Sequence, residues 1–362
     1  MRTSTSAAPL PDAHERQQIF YLLKKLSSIT AWQRIFHFYQ QWANMAEASV
    51  RDAVNQGWGK LTGLPERDYG LILKGLAHCE EGVNRLRQGN KLVFHYDANG
   101  EFVMARRPLT YFHEFVHRVQ TGDSDIDLAR TPRWDAFCAM TSMLDSAWSE
   151  CAALILESQY LDQPAPLVFN QTWRDKLNKL PFPDSLPPVP EPLRNTVVAS
   201  GKALPCSGIW EPVELPMRKN APSLFSRSAE APDGPLPPFG CMNYLHGGSD
   251  APTIEVFDAD DEIKEVATQW RLIWKDDRYL DGTIPDEESA YTFTEPSPNA
   301  DAPATAAPAA SADGILWAMS GDPAPVSGRW LVESDLAASI DAKSGDRLPL
   351  HQGRQVRWVL GD

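Results

Sequence analysis

Two histidines four residues apart with a glutamate after the first, His113-Glu114-x-x-His117, form the stretch of this sequence whose spacing matches a known chemistry. On a helix, residues four apart share a face. Both imidazoles can therefore reach one zinc ion, with Glu114 beside them as general base for a bound water. A zinc site needs a further ligand, and Glu150 is the best-placed carboxylate. Asp123 lies closer, but Gln120 stands where a glycine would let the chain turn back. Arg118 directly after the second histidine also departs from the pattern of zinc peptidases. The same residues have a plainer reading, in which Phe112, Phe115, Val116 and Val119 form a buried stripe and both histidines sit at its solvated margin. The expectation is therefore a chain with no catalytic residue and no cofactor. A zinc-dependent metallopeptidase, with Glu114 catalytic and His113, His117 and Glu150 as ligands, is the alternative.

The elements that must position this motif are helical. After a loose leader over residues 1–14, apolar residues recur at helical spacing from residue 18 to 26. They do so again from 30 to 56, where Trp32, Ile35, Phe36, Tyr39, Trp42, Ala46, Val50 and Val54 draw an aromatic-rich seam. Residues 65–88 read as a third helix ended by Gly89, and Trp134, Phe137, Met140, Leu144, Cys151 and Ile155 mark a helix after the motif. Between them, residues 91–106 with Asn99-Gly100 near the centre read as a β-hairpin, and Pro108 suits the first turn of the motif helix. Residues 15–160 thus read as one mainly helical domain with an inserted hairpin.

Composition bounds the rest. The chain has 362 residues, 43% of them hydrophobic, enough for a core and more than one domain. Its 48 acidic against 34 basic residues give a net charge of −14, which argues against a phosphate backbone as partner and fits a basic protein. There is no Gly-rich phosphate loop, no Gly-x-Ser-x-Gly elbow and no basic aromatic stripe. The five cysteines are scattered without a Cys-x-x-Cys pair, as in a reducing compartment. The first residues lack the apolar stretch of a secretion signal, and no apolar run is long enough for a membrane span. A cytoplasmic location follows as the expectation.

Prolines crowd residues 161–205, an extended connector, and a second Pro/Ala-rich stretch over 295–313 reads as a linker. Between and after them a repeat emerges. Ser207-Gly208-Ile209-Trp210 is echoed by Ser327-Gly328-Arg329-Trp330. Leu236-Pro237 is then set against Leu348-Pro349, and the apolar run at 241–245 against that at 355–360. Ser-Gly signals a turn, tryptophan anchors a small core and the alternation after Gln355 favours a strand, so each copy reads as a small β-rich module, residues 206–294 and 314–362. The fold class is α+β.

The Ser-Gly-x-Trp modules behind a helical half resemble the immunity proteins of bacterial polymorphic-toxin systems, the kind paired with Rhs-type or type VI secretion effectors. Cys206-Ser207-Gly208-Ile209-Trp210-Glu211-Pro212 is the closest local match, and the second copy departs from it with Val326 in place of the cysteine. The resemblance implies a cytoplasmic inhibitor that binds and blocks a cognate toxin without catalysis of its own. The acidic segments suited to a basic toxin are Asp123, Asp125 and Asp127 after the motif helix, and Asp258, Asp260, Asp261 and Glu262 between the modules. Trp270 is the expected apolar anchor beside them.

Overall fold

A computed structural model of the chain describes residues 10–97, 100–157, 164–192, 196–214, 236–257, 263–296, 317–320, 324, 327–332, 335–343, 346–351 and 356–360. They fall in two compact units, Met1–Pro298 and Asn299–Asp362.

The first unit begins with helices α1 (Ala13–Leu26), α2 (Ile29–Asn55), α3 (Glu66–Arg87), α4 (Glu101–Thr121) and α5 (Trp134–Ile155). Asp12 and Glu15 form a reciprocal capping box at the start of α1, satisfying two backbone N–H groups that a helix start leaves orphaned. Ser28 caps α2 by accepting from the Ala31 N–H. Along α2 the residues Trp32, Ile35, Tyr39, Trp42 and Ala46 are fully buried, as their i, i+3, i+4 spacing requires. Trp32 stacks on Phe102 of α4 with ring centroids 4.0 Å apart, and the Trp42 indole donates to the Thr141 hydroxyl of α5 at 2.8 Å. Where α3 passes this seam, Gly75 leaves room for the Tyr39 hydroxyl, which any Cβ there would strike.

The hairpin expected over residues 91–106 does not form. Lys91–Phe94 is a short 3-10 turn capped by Asn90, and α4 already begins at Glu101. The reason lies upstream of the motif: Phe102, Ala105, Leu109, Phe112 and Val116 form one continuous buried stripe at helical spacing, so residues 101–106 belong to the same helix. Pro108 consequently lies inside α4 and not in its first turn.

A short helix α6 (Gln171–Leu177) precedes an antiparallel sheet of β1 (Val197–Ala199), β2 (Gly208–Val213), β3 (Asn243–Leu245) and β6 (Gln269–Lys275), in the order β1-β6-β2-β3. The strands β4 (Ile254–Phe257) and β5 (Ile263–Val266) make a separate two-stranded hairpin. Alternation along β2 and β3 splits the sheet into two apolar faces. Ile209, Tyr244 and Ile273 join the core of the helices, whereas Trp210, Leu245, Trp270 and Leu272 close a smaller core with Ala165 and Ile254. Helices and first β module therefore share a core.

In the second unit β7 (Trp317–Met319), β8 (Gly328–Val332), β9 (Asp335–Ala342) and β10 (Arg357–Leu360) form an antiparallel sheet in the order β7-β10-β8-β9, around Trp330, Val332, Leu348 and Trp358. This is the strand order of the first sheet. The repeat is real, but its later pieces align differently from the sequence expectation. Residues 357–360 form the counterpart of β6, not of the run at 241–245, and Leu348-Pro349 takes the place of Ala251-Pro252, not of Leu236-Pro237.

Candidate partner-binding surface

On α4 the His-Glu-x-x-His motif lies at the margin of the buried stripe. Phe112 and Val116 are buried, Glu114 and His117 are exposed, and His113 is half-buried with its Nδ1 3.6 Å from a carboxylate oxygen of Asp145 on α5. Glu150 is turned elsewhere. Its carboxylate lies 3.2 Å from the Arg34 guanidinium and 3.7 Å from the Lys25 ammonium, where it neutralises the meeting point of α1, α2 and α5. Among the described residues no group of three or more His, Cys, Asp or Glu side chains is arranged to hold a metal ion. The structure therefore does not bring His113, His117 and Glu150 together.

Beyond α4, Gly122 ends the helix in the left-handed conformation at φ 79°, and the chain turns into an acidic loop. Asp123, Asp125 and Asp127 are all exposed there. Asp123 accepts the Thr121 hydroxyl at 2.9 Å, and Asp127 caps a 3-10 turn at residues 128–130 while pairing with Arg130 at 3.3 Å. Leu128, 57% exposed, adds an apolar tip to this acidic rim. Asp258, Asp260, Asp261 and Glu262 lie outside the described residues. Trp270 is fully buried in one cluster with Trp210 and Leu272, and its indole donates to the Pro252 carbonyl at 2.8 Å. Its position in the core of its own module removes it as a surface anchor.

The most elaborate polar cluster joins the helices to the first β module. Arg278 donates from Nε and Nη2 to the two oxygens of Asp276, both at 2.8 Å, from Nη2 to the Ser27 hydroxyl at 2.7 Å and from Nη1 to the Lys24 carbonyl at 2.9 Å. Tyr244 donates to Asp276 at 2.8 Å, and the Lys91 ammonium lies 3.3 Å away, over the Tyr279 ring. Burial alone would push Asp276 up, but Arg278 and Lys91 outweigh it and hold the carboxyl at about 2. Burial pushes the Lys91 ammonium down to about 8 against the pull of Asp276. Next to Arg278, Tyr279 sits at φ 73°, a conformation that costs a bulky residue ~1–3 kcal/mol. Its hydroxyl accepts from the Ile29 N–H at 2.8 Å and donates to Glu288, which also accepts from Thr30. Sequence reasoning missed this cluster because its members come from five separate segments with no common spacing. The local signal was the dense run Asp276-Asp277-Arg278-Tyr279 directly after a tryptophan-rich strand.

A second junction pairs His95 with His246, ring centroids 5.6 Å apart, beside Glu157, which accepts from the Tyr96 N–H at 2.8 Å and from the Ser249 hydroxyl. His246 is fully buried, and burial together with the nearby His95 pushes its imidazole down to about 3. These arrangements hold the helical half and the first β module together.

Comparison with known proteins follows that division. Residues 10–166, the helical half, match the family model described as immunity protein 71. Residues 188–292, which contain β1 to β6 and the Asp276–Glu288 junction, match that of immunity protein 72. No curated protein and no solved structure matches the chain. No helix among the described residues is long and apolar enough to cross a membrane. The two matched stretches lie on either side of one shared core, and together they identify the chain with the immunity proteins of toxin systems.

Proposed function

We propose that this chain protects the cell that makes it by binding and neutralising a cognate toxin, delivered by a polymorphic system of the Rhs or type VI secretion kind, in the cytoplasm. The observation that carries the reading is the pair of immunity-family matches on both halves of one compact unit. The net charge of −14 supports a basic toxin surface as the partner, since opposite charge speeds encounter and suppresses wrong pairings. Asp123, Asp125 and Asp127, exposed and followed directly by exposed Leu128, are the acidic contacts on the helical half. Asp258, Asp260, Asp261 and Glu262 are the corresponding acidic stretch of the β half in sequence.

The test is co-expression with the toxin domain encoded beside this gene, together with a binding titration of the purified pair. Protection of the host and a salt-sensitive complex are expected. A purified toxin that kills with undiminished potency in the presence of this chain would sink the reading. Reversing Asp123, Asp125 and Asp127 together to lysine should slow association several-fold at low salt and little at high salt.

A further inference from the structure

The two β modules are the same fold by register as well as by strand order. Trp210 faces Leu272 and Trp330 faces Leu360; Pro212 faces Trp270 and Val332 faces Trp358; Gly208 faces Leu245 and Gly328 faces Ala342. After the first strand of each sheet a serine makes the same two bonds to the backbone of the residue directly before that sheet's last strand in sequence. Ser200 donates its N–H to the Thr268 carbonyl and accepts the Thr268 N–H on its hydroxyl, and Ser320 does both with Val356. Trp270 donates to the Pro252 carbonyl and Trp358 to that of Pro349. At these positions the second unit repeats the module that carries the immunity protein 72 match.

The copies differ where the chain leaves the sheet. Residues 253–267 of the first stand in place of residues 350–355 of the second, and they form the β4–β5 hairpin. The second copy builds the sheet without it, so the hairpin is an addition to the fold rather than a requirement of it. Features added to a scaffold at a loop are where recognition is commonly placed.

The hairpin has one face spoken for and one face open. Ile254, 5% exposed, and Val256 turn inward onto the core around Trp210 and Trp270. The opposite face carries Glu255 directly across from Glu265, and Ile263, 58% exposed, next along. Like charges directly opposed across strands oppose pairing, and a two-stranded ribbon has little stability to spare. Among the described residues neither carboxylate is in an ion pair. Glu265 accepts the Thr253 hydroxyl at 3.4 Å. Two opposed carboxylates beside an exposed aliphatic side chain make a surface that a cation from another molecule completes.

We infer that the outward face of the β4–β5 hairpin, Glu255, Glu265 and Ile263, is a docking surface for the toxin, taking a lysine or arginine of a basic toxin face between the two carboxylates with an apolar neighbour against Ile263. This rests on the reading of the chain as a toxin inhibitor and names where the β half makes contact.

The variants are Glu265→Lys, Glu255→Lys with Glu265→Lys, and Ile263→Ser in the full chain, with the toxin domain encoded beside the gene as the probe. Glu265→Lys replaces a repulsive cross-strand pair with an attractive one. It should melt at the same or a higher temperature than the wild type while binding toxin at least tenfold more weakly at low salt. The double variant should bind more weakly still, and Ile263→Ser should mainly speed dissociation. A purely structural hairpin would not give greater stability with weaker binding. If the wild type binds and the double variant binds with the same affinity and salt dependence, the docking surface is wrong and the inhibitor reading stands. If the wild type itself does not bind, both fall.

Discussion

The guanidinium of Arg278 grips both oxygens of Asp276, both residues being buried, and the same guanidinium reaches across to Ser27 and the Lys24 carbonyl of α1. Two charges taken out of water this completely depend on each other. Arg278→Met leaves Asp276 with only Lys91 as countercharge, and Asp276→Asn leaves the guanidinium with only Glu288, 3.7 Å away. Each single change should destabilise the first unit by about 3–5 kcal/mol in urea unfolding. The double change should cost clearly less than the sum, since each residue's main partner is the other.

Acid should loosen the protein well before its carboxylates titrate. His246 is held at about 3 in the folded chain against 6.5 when unfolded, so below pH 6.5 the unfolded chain binds the extra proton and stability falls as pH falls. At pH 5 this one group should remove about 2 kcal/mol relative to pH 7, at ~1.4 kcal/mol per pH unit. Asp276, also depressed, adds its own loss only below about pH 4. Unfolding free energies measured from pH 7 to 5 should flatten in His246→Phe. An unchanged slope in that variant would assign the acid sensitivity to other groups.

Corresponding glycines of the two copies should tolerate a methyl group differently. A Cβ on Gly208 would drive into the carbonyl oxygen of Trp274, which is fixed backbone, whereas on Gly328 it would meet the Leu360 Cδ1 at 2.6 Å, the free end of a side chain that can swing. Gly208→Ala should cost more than about 2 kcal/mol and Gly328→Ala under about 1 kcal/mol, compared by denaturant unfolding of the full chain.

The His-Glu-x-x-His helix should behave as a helix surface. His113→Ala and His117→Ala should each leave stability within about 0.5 kcal/mol of the wild type and leave protection against the toxin intact. Purified protein should hold well under one equivalent of zinc. A full equivalent of tightly bound metal that both substitutions abolish would favour the alternative, a zinc hydrolase.

Much of the helical half could be read from single residues, because burial imposes a period. Trp32, Ile35, Tyr39 and Trp42 repeat at helical spacing and lie where that spacing puts them. At residues 101–106 two local signals conflict, the turn signal of Asn99-Gly100 and the buried stripe that runs from Phe112 back to Phe102, and the stripe prevails because it packs on the core. In the β half, Ser-Gly-x-Trp marked both copies correctly, since glycine opens the strand and tryptophan fills each core. The later pieces slid out of register because Leu-Pro pairs recur in a chain with 30 prolines, and the insertion at 253–267 disguises the common spacing. Trp270 illustrates a different limit. An isolated tryptophan beside acidic residues looks like a contact residue, and only its cross-strand neighbours Pro212 and Val198 reveal it as core. The Asp276–Arg278 junction is built from distant segments, so no local pattern announced it.

That junction also constrains how such a protein can be reshuffled in evolution. The boundary between the two family-matched stretches is not a clean seam, because Lys24, Ser27, Ile29 and Thr30 on one side are bonded to Arg278, Tyr279 and Glu288 on the other. A recombinant that takes its helical half from one lineage and its β half from another inherits a buried arginine and a buried glutamate whose partners were selected elsewhere. Changes of toxin specificity should therefore accumulate on exposed additions such as the β4–β5 hairpin, while the residues around Arg278 are passed on as a set.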